Sequence, residues 1–393
     1  MNQKSIYFTP DHNAFRKTLR QFLKQEAIPY LDQWEINRCI PKSFWQRMGE
    51  QGYFALFYPK ELGGAEKDIF YSVIFLEELG RTGYTGFRLA IALHVYMATS
   101  YIATFGSDYL KQKYLIPSIL GEKIAALAIS ESGAGSDLSH IQTTAVFDGE
   151  NYIINGNKKY VVNGTTANFV IVVAKTDKKN APTKRGATGI SLFVVDTQSK
   201  NIVITKSNNL GLHTADVAEM QFNQLSVPPT QLIGRAEQGF IYLMKCLQLE
   251  RLAIALLAIG GAEHCLDITW QALSKRKIYN TTLNKLQSLR HQMANHVTEL
   301  EAARQLAYHT AWVYQQNDEM PIAACSMAKL KATELANTIA ADCLRLHGAD
   351  GYDNNSFISR IYRDAPVATI GAGANEVMRD IIAQLALDEM NFI

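Results

Sequence analysis

The sequence predicts an α+β protein with an N-terminal helical domain, a central antiparallel β-barrel or sandwich, and a C-terminal four-helix bundle. Apolar residues recur at helical spacing before residue 125. From Gln142 the period becomes two, which is typical of half-buried strands. After Pro228-Pro229, four long helical patterns indicate a bundle. We therefore expect domains at 1–125, 126–235 and 236–393.

The first helix is predicted to start at Thr9-Pro10-Asp11, which combines a capping hydroxyl, a proline at the first helical position and an acid in the first turn. Further N-terminal helical patterns cover Ile69–Gly80, Leu89–Phe105 and Tyr109–Leu120. The C-terminal patterns cover Phe240–Lys275, Leu283–Gln316, Pro321–Leu346 and Asn375–Leu387.

The central region reads as successive hairpins, with turns predicted at Asp148-Gly149 and Asn155-Gly156. Because no helical pattern separates the strands, we expect an antiparallel sheet. A basic, polar loop is predicted at Asp177 to Gly186. The predicted strands are Gln142–Phe147, Tyr152–Ile154, Lys158–Val162, Phe169–Ala174, Ile190–Val195, Val203–Lys206 and Ala218–Phe222.

Composition excludes several classes of function. The chain has 393 residues, 47% of them hydrophobic, and a net charge of +2, which favours neither nucleic acid nor an anionic membrane as a partner. Five scattered cysteines without a CxxC pair indicate reduced thiols. The first residues lack the apolar core of a signal peptide, and the longest apolar stretches carry charges or histidine. We expect a cytoplasmic protein with no membrane span and no metal site.

One stretch joins the helical and β regions, from Leu127 to Asp137. Gly133 and Gly135 have no side chain to hold a ligand away from the backbone, and Ser130 and Ser136 add hydroxyl groups. The stretch could lay a flat cofactor ring against backbone N–H groups. On these residues alone, the favoured interpretation is a strand followed by a surface turn.

Glu250 and Arg251 interrupt an otherwise apolar helical pattern. Burying a carboxylate is costly unless it is paired or neutralised. One interpretation is a structural ion pair with a neighbouring helix. The other is a carboxylate placed in an apolar pocket, where burial raises its pKa for work as a general base.

Two further segments could meet a ligand. Gly371-Ala-Gly373 is a glycine-rich turn that opens a helix. Arg345 and His347 precede Gly348 and could meet a phosphate, although the local pattern is also that of a helix C-cap followed by a loop.

Taken in order, these segments resemble the acyl-CoA dehydrogenase family from about Phe15 to Leu387. The resemblance is carried by Tyr58-Pro-Lys-Glu-Leu-Gly-Gly64, Ser130-Glu-Ser-Gly-Ala-Gly-Ser-Asp137, Asn155-Gly-Asn-Lys-Lys-Tyr160 with Asn163-Gly164, Leu210-Gly-Leu-His213, Leu249-Glu-Arg251, and Arg363-Asp364 through Ile370-Gly-Ala-Gly373. It implies the same three-part fold, a homo-oligomer such as a dimer or tetramer, and bound FAD whose adenine end is held partly by a second subunit.

The resemblance also implies the FAD-binding residues. Ser130 would hydrogen-bond the flavin ring, Tyr160 would cover it, and Arg276 would reach the FAD pyrophosphate of a partner subunit. Val162 stands where the family usually has a Thr that hydrogen-bonds the flavin, so only the backbone N–H of Val162 could make that bond. The full set is Leu127, Ile129, Ser130, Gly135, Ser136, Tyr160, Val162, Arg276, Tyr279, Gln287, Arg345, Gly348, Ala349, Ala374 and Glu376.

For the substrate, the resemblance implies an acyl thioester with a short or branched acyl group, contacted by Ser136, Gln248, Arg251 and Gly371. Gln248 replaces an Asp that often contacts the pantetheine arm, and Gln384 stands where Arg is common. These departures favour a thioester tail other than coenzyme A, such as that of a carrier protein.

The catalytic residues implied by the resemblance are Glu250 and Ala372. Most of the family carries its base at the centre of a Tyr-Glu-Gly triplet, which here reads Gly371-Ala-Gly373, and Ala372 cannot take a proton. A minority branch, including the isovaleryl and long-chain types, carries the base in a Leu-Glu-Arg setting on a bundle helix. The resemblance therefore assigns Glu250 as the base, with the Ala372 N–H and a flavin hydroxyl holding the thioester oxygen.

Three functions remain open at this stage. The first is an α,β-dehydrogenase that passes electrons from FAD to an electron-transfer flavoprotein or to oxygen. The second is an oxygen-using flavin oxidase, such as an aminoacyl or prolyl carrier-protein oxidase. The third is a non-catalytic DNA-binding relative, which would need a basic patch that a net charge of +2 supports poorly.

Overall fold

The computed structural model describes residues 6–176, 189–316 and 321–388. The predicted basic loop from Asp177 to Gly186 lies outside these residues. The described chain forms two compact units. One contains residues up to Leu31, Asp68–Arg88 and the chain from Arg251 onward, and the other contains Asp32–Lys67 and Leu89–Glu250.

The N-terminal third is helical, as predicted. Thr9 caps the first helix, since its hydroxyl accepts from the His12 N–H and the His12 ring bonds back to the Thr9 N–H. The predicted Leu89–Phe105 helix is divided by a π-helical segment, Leu93–Ala98. The helices are α1 (Pro10–Glu26), α2 (Leu31–Asn37), α3 (Lys42–Glu50), α4 (Ile69–Gly80), α5 (Thr85–Ala92), α6 (Thr99–Phe105), α7 (Asp108–Leu110) and α8 (Ile116–Ile119), with a second π-helical segment at Lys111–Leu115.

The described residues next form a mixed sheet of seven strands, with β5 pairing on β4 beside the path β1-β4-β2-β3-β7-β6. The strands are β1 (Ala125–Ala128), β2 (Thr144–Phe147), β3 (Tyr152–Val161), β4 (Phe169–Lys175), β5 (Ile190–Asp196), β6 (Ile202–Lys206) and β7 (Ala218–Val227).

The prediction of a wholly antiparallel sheet was wrong at one edge of β4. β1 pairs with β4 in parallel, with Leu127 opposite Ile171, and β2 meets β4 in parallel at Thr144 and Lys175. Parallel neighbours need a long crossover, which is usually a helix. Here the β2–β3 hairpin supplies that crossover, so the absence of helical patterns did not exclude parallel pairing.

Asn155-Gly156 is a second correction, because it does not form a hairpin turn. Tyr152–Val161 is one strand whose register against β7 shifts between Ile154 and Gly156. Gly156 has φ +149, and a side chain there would meet Thr143 at 2.4 Å. A β-bulge needs one extra residue with an unusual backbone conformation, so the residue types that form a turn can also form a bulge. The Asp148-Gly149 turn is confirmed, since the Asp148 carboxylate accepts from the Glu150 and Asn151 N–H groups.

Long helices follow, as predicted. Predicted Leu283–Gln316 begins with a short 3-10 turn and becomes α-helical at Gln287, and the last predicted helix continues beyond Ile382 as a π-helical segment, Ala383–Asp388. The helices are α9 (Gly239–Lys275), α10 (Gln287–Gln316), α11 (Ile322–His347), α12 (Phe357–Asp364), α13 (Val367–Ile370) and α14 (Asn375–Ile382), and a short hairpin joins α9 to α10 through β8 (Lys277–Ile278) and β9 (Thr281–Thr282).

Helix α9 bears on the expectation that the chain has no membrane span. Among the described residues it is long and apolar enough to pass a length and hydropathy test for a membrane helix, despite Glu250 and Arg251. In the fold, 78% of its apolar 18-residue stretch is buried. A buried core helix passes the same test, so the hydropathy of α9 reflects its packing.

Helices α4 and α9 approach closely through two glycines. A methyl group on Gly80 would lie 2.6 Å from the Leu257 carbonyl oxygen, and one on Gly260 would lie 2.3 Å from the Glu77 carbonyl oxygen. Glycine is therefore required at this crossing, because the two backbones leave no space for a side chain.

Two adjacent buried glutamates on α4 bind side chains of α1 and α10, which belong to the same unit. Glu77 accepts from Arg16 Nη1 at 3.0 Å and from the Tyr308 hydroxyl at 2.6 Å. Glu78 accepts from Arg20 Nε and Nη2 at 2.8 and 2.7 Å and from Arg16 at 3.1 Å. Because buried carboxylates must be paired, these contacts fix the side of α4 that faces α1.

Replacing Glu78 with alanine should therefore destabilise the protein by about 3 kcal/mol, since breaking a buried pair leaves arginines without their acceptor. Urea unfolding followed by circular dichroism measures this loss. Glu299→Ala is the control, because Glu299 pairs with Lys331 on the exposed faces of α10 and α11 and its removal should change the midpoint little. Equal shifts for the two variants would contradict the assignment of Glu78 as a fold-holding residue.

Candidate functional site

The predicted cofactor loop leaves the end of β1. Leu127 is buried because β1 packs against β4, whereas Ile129 and Ser130 are half-buried and Gly135 and Ser136 are exposed. A Cβ atom built on Gly133 or on Gly135 would meet nothing within 4 Å. The backbone of this loop therefore borders open space, as a surface for a flat ring requires.

A buried ion pair, missed by the sequence analysis, fixes the loop at its start. Lys158 Nζ donates to the Ile129 carbonyl oxygen at 2.8 Å and to Glu131 Oε1 at 2.7 Å. The Glu131 carboxylate also accepts from the N–H groups of Gln142 and Thr143 at 2.7 and 3.1 Å. Burial lowers the pKa of Lys158 to about 8, with Glu131 opposing that shift. Residues 129–131 are thus held from β3 and from the loop before β2.

The strand that carries Lys158 also presents Tyr160. A register shift between Lys158 and Val161 puts Tyr160 at φ +60, with its side chain 66% exposed. A bulky residue rarely adopts positive φ, and such residues cluster at functional sites. Val162, which follows, is buried. The bulge thus presents the Tyr160 ring to the surface of this unit.

Glu250 lies inside the apolar helix α9 and is 3% exposed. The Tyr101 hydroxyl, which is fully buried on α6, donates to Glu250 Oε1 at 2.8 Å. Burial, together with the charge of Glu250, raises the pKa of Tyr101 well above its usual range, so the hydroxyl keeps its proton. Gln248 is also buried, and its Nε2 donates to the Met244 carbonyl oxygen of its own helix at 3.0 Å.

The glycine-rich turn after α13 lies in the other unit. Ala372 has φ +52 and Gly373 has φ +94, so two consecutive residues adopt left-handed conformations. A Cβ on Gly371 would be 3.8 Å from Ile254 Cδ1, in ordinary contact with α9. Ala374 precedes α14 as its N-cap residue, and Glu376 is exposed in the first turn.

A fully buried lysine on α11 holds this turn. Lys329 Nζ donates to the carbonyl oxygens of Gly373 and Thr369 at 2.7 and 3.3 Å and to Asn375 Oδ1 at 2.8 Å. Burial, followed by the charge of Arg251, lowers the pKa of Lys329 to about 8. Arg251 itself is buried, and its Nη1 donates to Ser326 Oγ at 3.4 Å.

The residues assigned to the FAD phosphates surround the end of α11. Arg276 Nη1 donates to the His347 carbonyl oxygen at 2.9 Å, and a Cβ on Gly348 would be 2.6 Å from the same nitrogen. Arg345 instead pairs with Asp342 at 2.9 Å on its own helix. The predicted C-cap at Gly348 is confirmed by its φ of +67.

The remaining residues assigned to this end are exposed. Ala349 follows the C-cap, and Gln287 begins α10. Tyr279 is 95% exposed with φ +51 in the β8–β9 hairpin. Among the described residues, no group of three or more His, Cys, Asp or Glu side chains could hold a metal ion.

Comparison with known proteins decides the family. Models of the N-terminal, middle and C-terminal domains of acyl-CoA dehydrogenase match residues 9–122, 126–225 and 237–387. The chain belongs to the acyl-CoA dehydrogenase family. The protein is accordingly a flavin-dependent oxidoreductase acting on CH–CH bonds, and its cofactor is FAD.

Individual relatives cover nearly the whole chain. The mitochondrial long-chain specific acyl-CoA dehydrogenase of Sus scrofa is 34% identical over 96% of this chain and 86% of its own length. The acyl-CoA dehydrogenase structure from Geobacillus kaustophilus is 38% identical, with a TM-score of 0.92 over 98% of this chain and all of that chain. A prolyl acyl carrier protein oxidase structure is 28% identical, with a TM-score of 0.88 over 97% of this chain and all of that chain.

The residues of this family member fit FAD. The open backbone at Gly133 and Gly135 admits a flat ring, and the exposed Arg276 guanidinium can meet a phosphate. The anchored Ser130 loop and the Tyr160 bulge belong to the same unit. These positions are consistent with the assigned contacts, and the individual roles stay predictions.

Three supporting residues escaped the sequence analysis. Lys329 shares the helical spacing of the buried Cys325, Ala332 and Thr333, and a lysine on a buried helix face is a detectable signal. Lys158 likewise falls on a buried position of β3. Tyr101 gave no signal, because an aromatic residue in an apolar helix is usually core.

Replacing Lys329 with methionine should loosen the Gly371–Gly373 turn, because two carbonyl oxygens and one amide oxygen lose a shared donor. If the Ala372 N–H binds the thioester oxygen, we expect a fall in kcat of about 10²-fold, the lower range for loss of an oxyanion donor. Stopped-flow flavin reduction measures this rate.

Lys331→Met is the matched control, since Lys331 lies two residues away and pairs on the surface with Glu299. Its flavin should be reduced at the wild-type rate. Equal rates for the Lys329 and Lys331 variants would show that the turn does not need the buried amine.

Proposed function

We propose that the protein catalyses α,β-dehydrogenation of an acyl thioester with Glu250 as the general base. The observation that carries this proposal is the placement of Glu250, a carboxylate buried in an apolar helix with a hydroxyl donor on one oxygen. A carboxylate in such a setting can be kept ionised yet remain basic.

Each catalytic role would then fall to a particular group. Glu250 takes the proton from the α-carbon of the substrate. The Ala372 N–H, presented by a left-handed turn that Lys329 holds, stabilises negative charge on the thioester oxygen. Bound FAD supplies the hydride acceptor for the β-carbon. Ser136, Arg251 and Gly371 are proposed to line the path of the thioester.

The acyl group is proposed to be short or branched, and the tail to be coenzyme A or a carrier protein. Gln248, which stands where an Asp often contacts pantetheine, turns its amide toward Met244 in its own helix. The similarity to a prolyl acyl carrier protein oxidase supports the carrier-protein alternative, with oxygen as the acceptor. The DNA-binding alternative is set aside, since the family is enzymatic.

The electron acceptor is proposed to be an electron-transfer flavoprotein or oxygen. A homo-oligomer, dimer or tetramer, is proposed because Arg276, Arg345 and Gly348 would serve the cofactor of a partner subunit. A cytoplasmic location remains a prediction from the sequence.

Glu250→Gln should leave FAD bound and thioester affinity largely intact but slow flavin reduction by about 10²–10⁴-fold, as expected for loss of a general base. Anaerobic stopped-flow absorbance with a panel of acyl-CoA and acyl carrier-protein thioesters measures this rate and also ranks the substrates. The isosteric amide keeps the acceptor for Tyr101, so the fold should be retained.

Glu237→Gln is the control, since Glu237 is an exposed glutamate just before α9. Its flavin should be reduced normally. A Glu250→Gln enzyme that reduces flavin at close to the wild-type rate would make Glu250 structural and place the base elsewhere.

Arg276→Ala should weaken FAD binding by about 10-fold or more, because a hydrogen bond from a guanidinium to phosphate is lost. Reconstitution of the apoprotein, followed by quenching of FAD fluorescence, measures the Kd. Arg235→Ala, an exposed arginine of the other unit, is the control with the same change in charge. A monomer in solution that holds FAD equally well with or without Arg276 would contradict the partner-subunit role.

A further inference from the structure

The carboxylate of Glu250 has its hydrogen-bond donor on a different element of the same unit. Tyr101 lies on α6, and its hydroxyl reaches Glu250 Oε1 across 2.8 Å. Both side chains are buried, at 0% and 3% exposure. A hydrogen bond to a charged group is shorter and stronger than a neutral one, and burial strengthens it further.

A second ionisable group lies one helical turn before Glu250. Cys246 is buried on α9, and burial together with the charge of Glu250 raises the pKa of its thiol to about 12. Ser100, the neighbour of Tyr101 on α6, hydrogen-bonds the same thiol. Tyr58 faces both Cys246 and Tyr96, and burial raises the pKa of Tyr58 above its usual range. Arg251 follows Glu250 in the chain, and its guanidinium reaches Ser326.

The neighbours within the unit of Glu250 therefore keep their protons across the range in which a carboxylate ionises. The pKa of Tyr101 is raised by burial first and by Glu250 second, so the phenol stays a donor. The thiol of Cys246 stays neutral for the same reason. Neither group competes with Glu250 for a proton in that range.

We infer that Tyr101 is a positioning residue for Glu250: its hydroxyl donates to Oε1, stabilises the ionised carboxylate and fixes its orientation for taking the substrate proton. This inference rests on the proposed role of Glu250 as the base. In the step, the α-carbon–hydrogen bond breaks, the proton passes to the Glu250 carboxylate, and Tyr101 keeps its own proton. The electron pair released at the α-carbon forms the new double bond as hydride leaves the β-carbon, and bound FAD would supply the acceptor for that hydride.

The direction of the pH effect follows from the donor. Hydrogen bonding to the charged form of a carboxylate favours ionisation, which opposes the effect of burial. Removing the Tyr101 hydroxyl takes away one interaction that opposes the effect of burial, so the pKa of the Glu250 carboxyl should rise. The acid limb of the pH–rate profile of the enzyme should move in the same direction.

Tyr101→Phe tests the inference, since it removes one oxygen and keeps the ring. We expect the acid limb of kcat for flavin reduction to move up by about one pH unit, with the rate recovering at high pH. FAD content and the KM for the thioester should stay within about twofold, because a positioning residue acts on the base and does not hold the ligand. A purely structural Tyr101 would not move the pH profile.

Infrared difference spectroscopy gives a readout that needs no turnover. The carboxylic acid band that Glu250→Gln removes should titrate at higher pH in Tyr101→Phe than in wild type. If the Phe variant fails to fold, 3-fluorotyrosine at position 101 serves instead. Its more acidic phenol strengthens the hydrogen bond, so both the band and the acid limb should move to lower pH.

Tyr114→Phe is the matched control, because Tyr114 is also a buried tyrosine that donates to a carboxylate, Asp196 Oδ2, at 3.0 Å. It should leave the pH profile of flavin reduction unchanged. A shift of the same size in both variants would assign the effect to general loosening of the fold and overturn the inference.

The failure of the inference and that of the proposed function can be told apart. If Glu250→Gln abolishes flavin reduction while the Tyr101→Phe profile and infrared band coincide with those of wild type, only the role of Tyr101 is wrong. If Glu250→Gln reduces flavin normally, the assignment of the base is wrong and the inference falls with it.

Discussion

Two adjacent ionisable side chains lie inside an apolar helix, and the elements packed around that helix must supply polar partners for them. Glu250 and Arg251 occupy α9, where nearly every neighbour is apolar and buried. An uncompensated buried charge costs several kcal/mol, so the surrounding elements must present polar groups at fixed places. Tyr101 does so for the carboxylate and Ser326 for the guanidinium. The sequence of α6 and α11 is thus constrained by two residues of α9.

The same logic applies to the lysines that no motif revealed. Lys158 and Lys329 are both fully buried, and each donates to the backbone of a loop assigned to ligand binding. The Lys158 amine binds the Ile129 carbonyl oxygen and the Glu131 carboxylate, and the Lys329 amine binds two carbonyl oxygens and the Asn375 side chain. Because a buried and well-paired amine rigidifies the groups that it binds, each loop depends on a lysine from a neighbouring element.

The sequence predicted the order of elements and the family, since long helical periods and spaced motifs are local signals. It did not predict how β1 pairs, because pairing depends on a crossover that could be a hairpin as easily as a helix. Asn155-Gly156 shows the same limit, since a bulge and a turn use the same residues. In the candidate site, Glu250 was visible as a charge in an apolar helix, but its partner Tyr101 was not, because a tyrosine that donates a hydrogen bond and one that only packs look alike in sequence.

The glycine crossing of α4 and α9 bears on how this enzyme could be re-engineered. With the backbones in contact at Gly80 and Gly260, α9 cannot slide along its axis, since a shift of one residue, about 1.5 Å, would bring a side chain against the facing helix. The axial position of the helix is therefore set more than two turns beyond Arg251. Libraries that vary the side chains of residues 251–254 can therefore change the packing of this part of α9 without changing the axial position of Arg251.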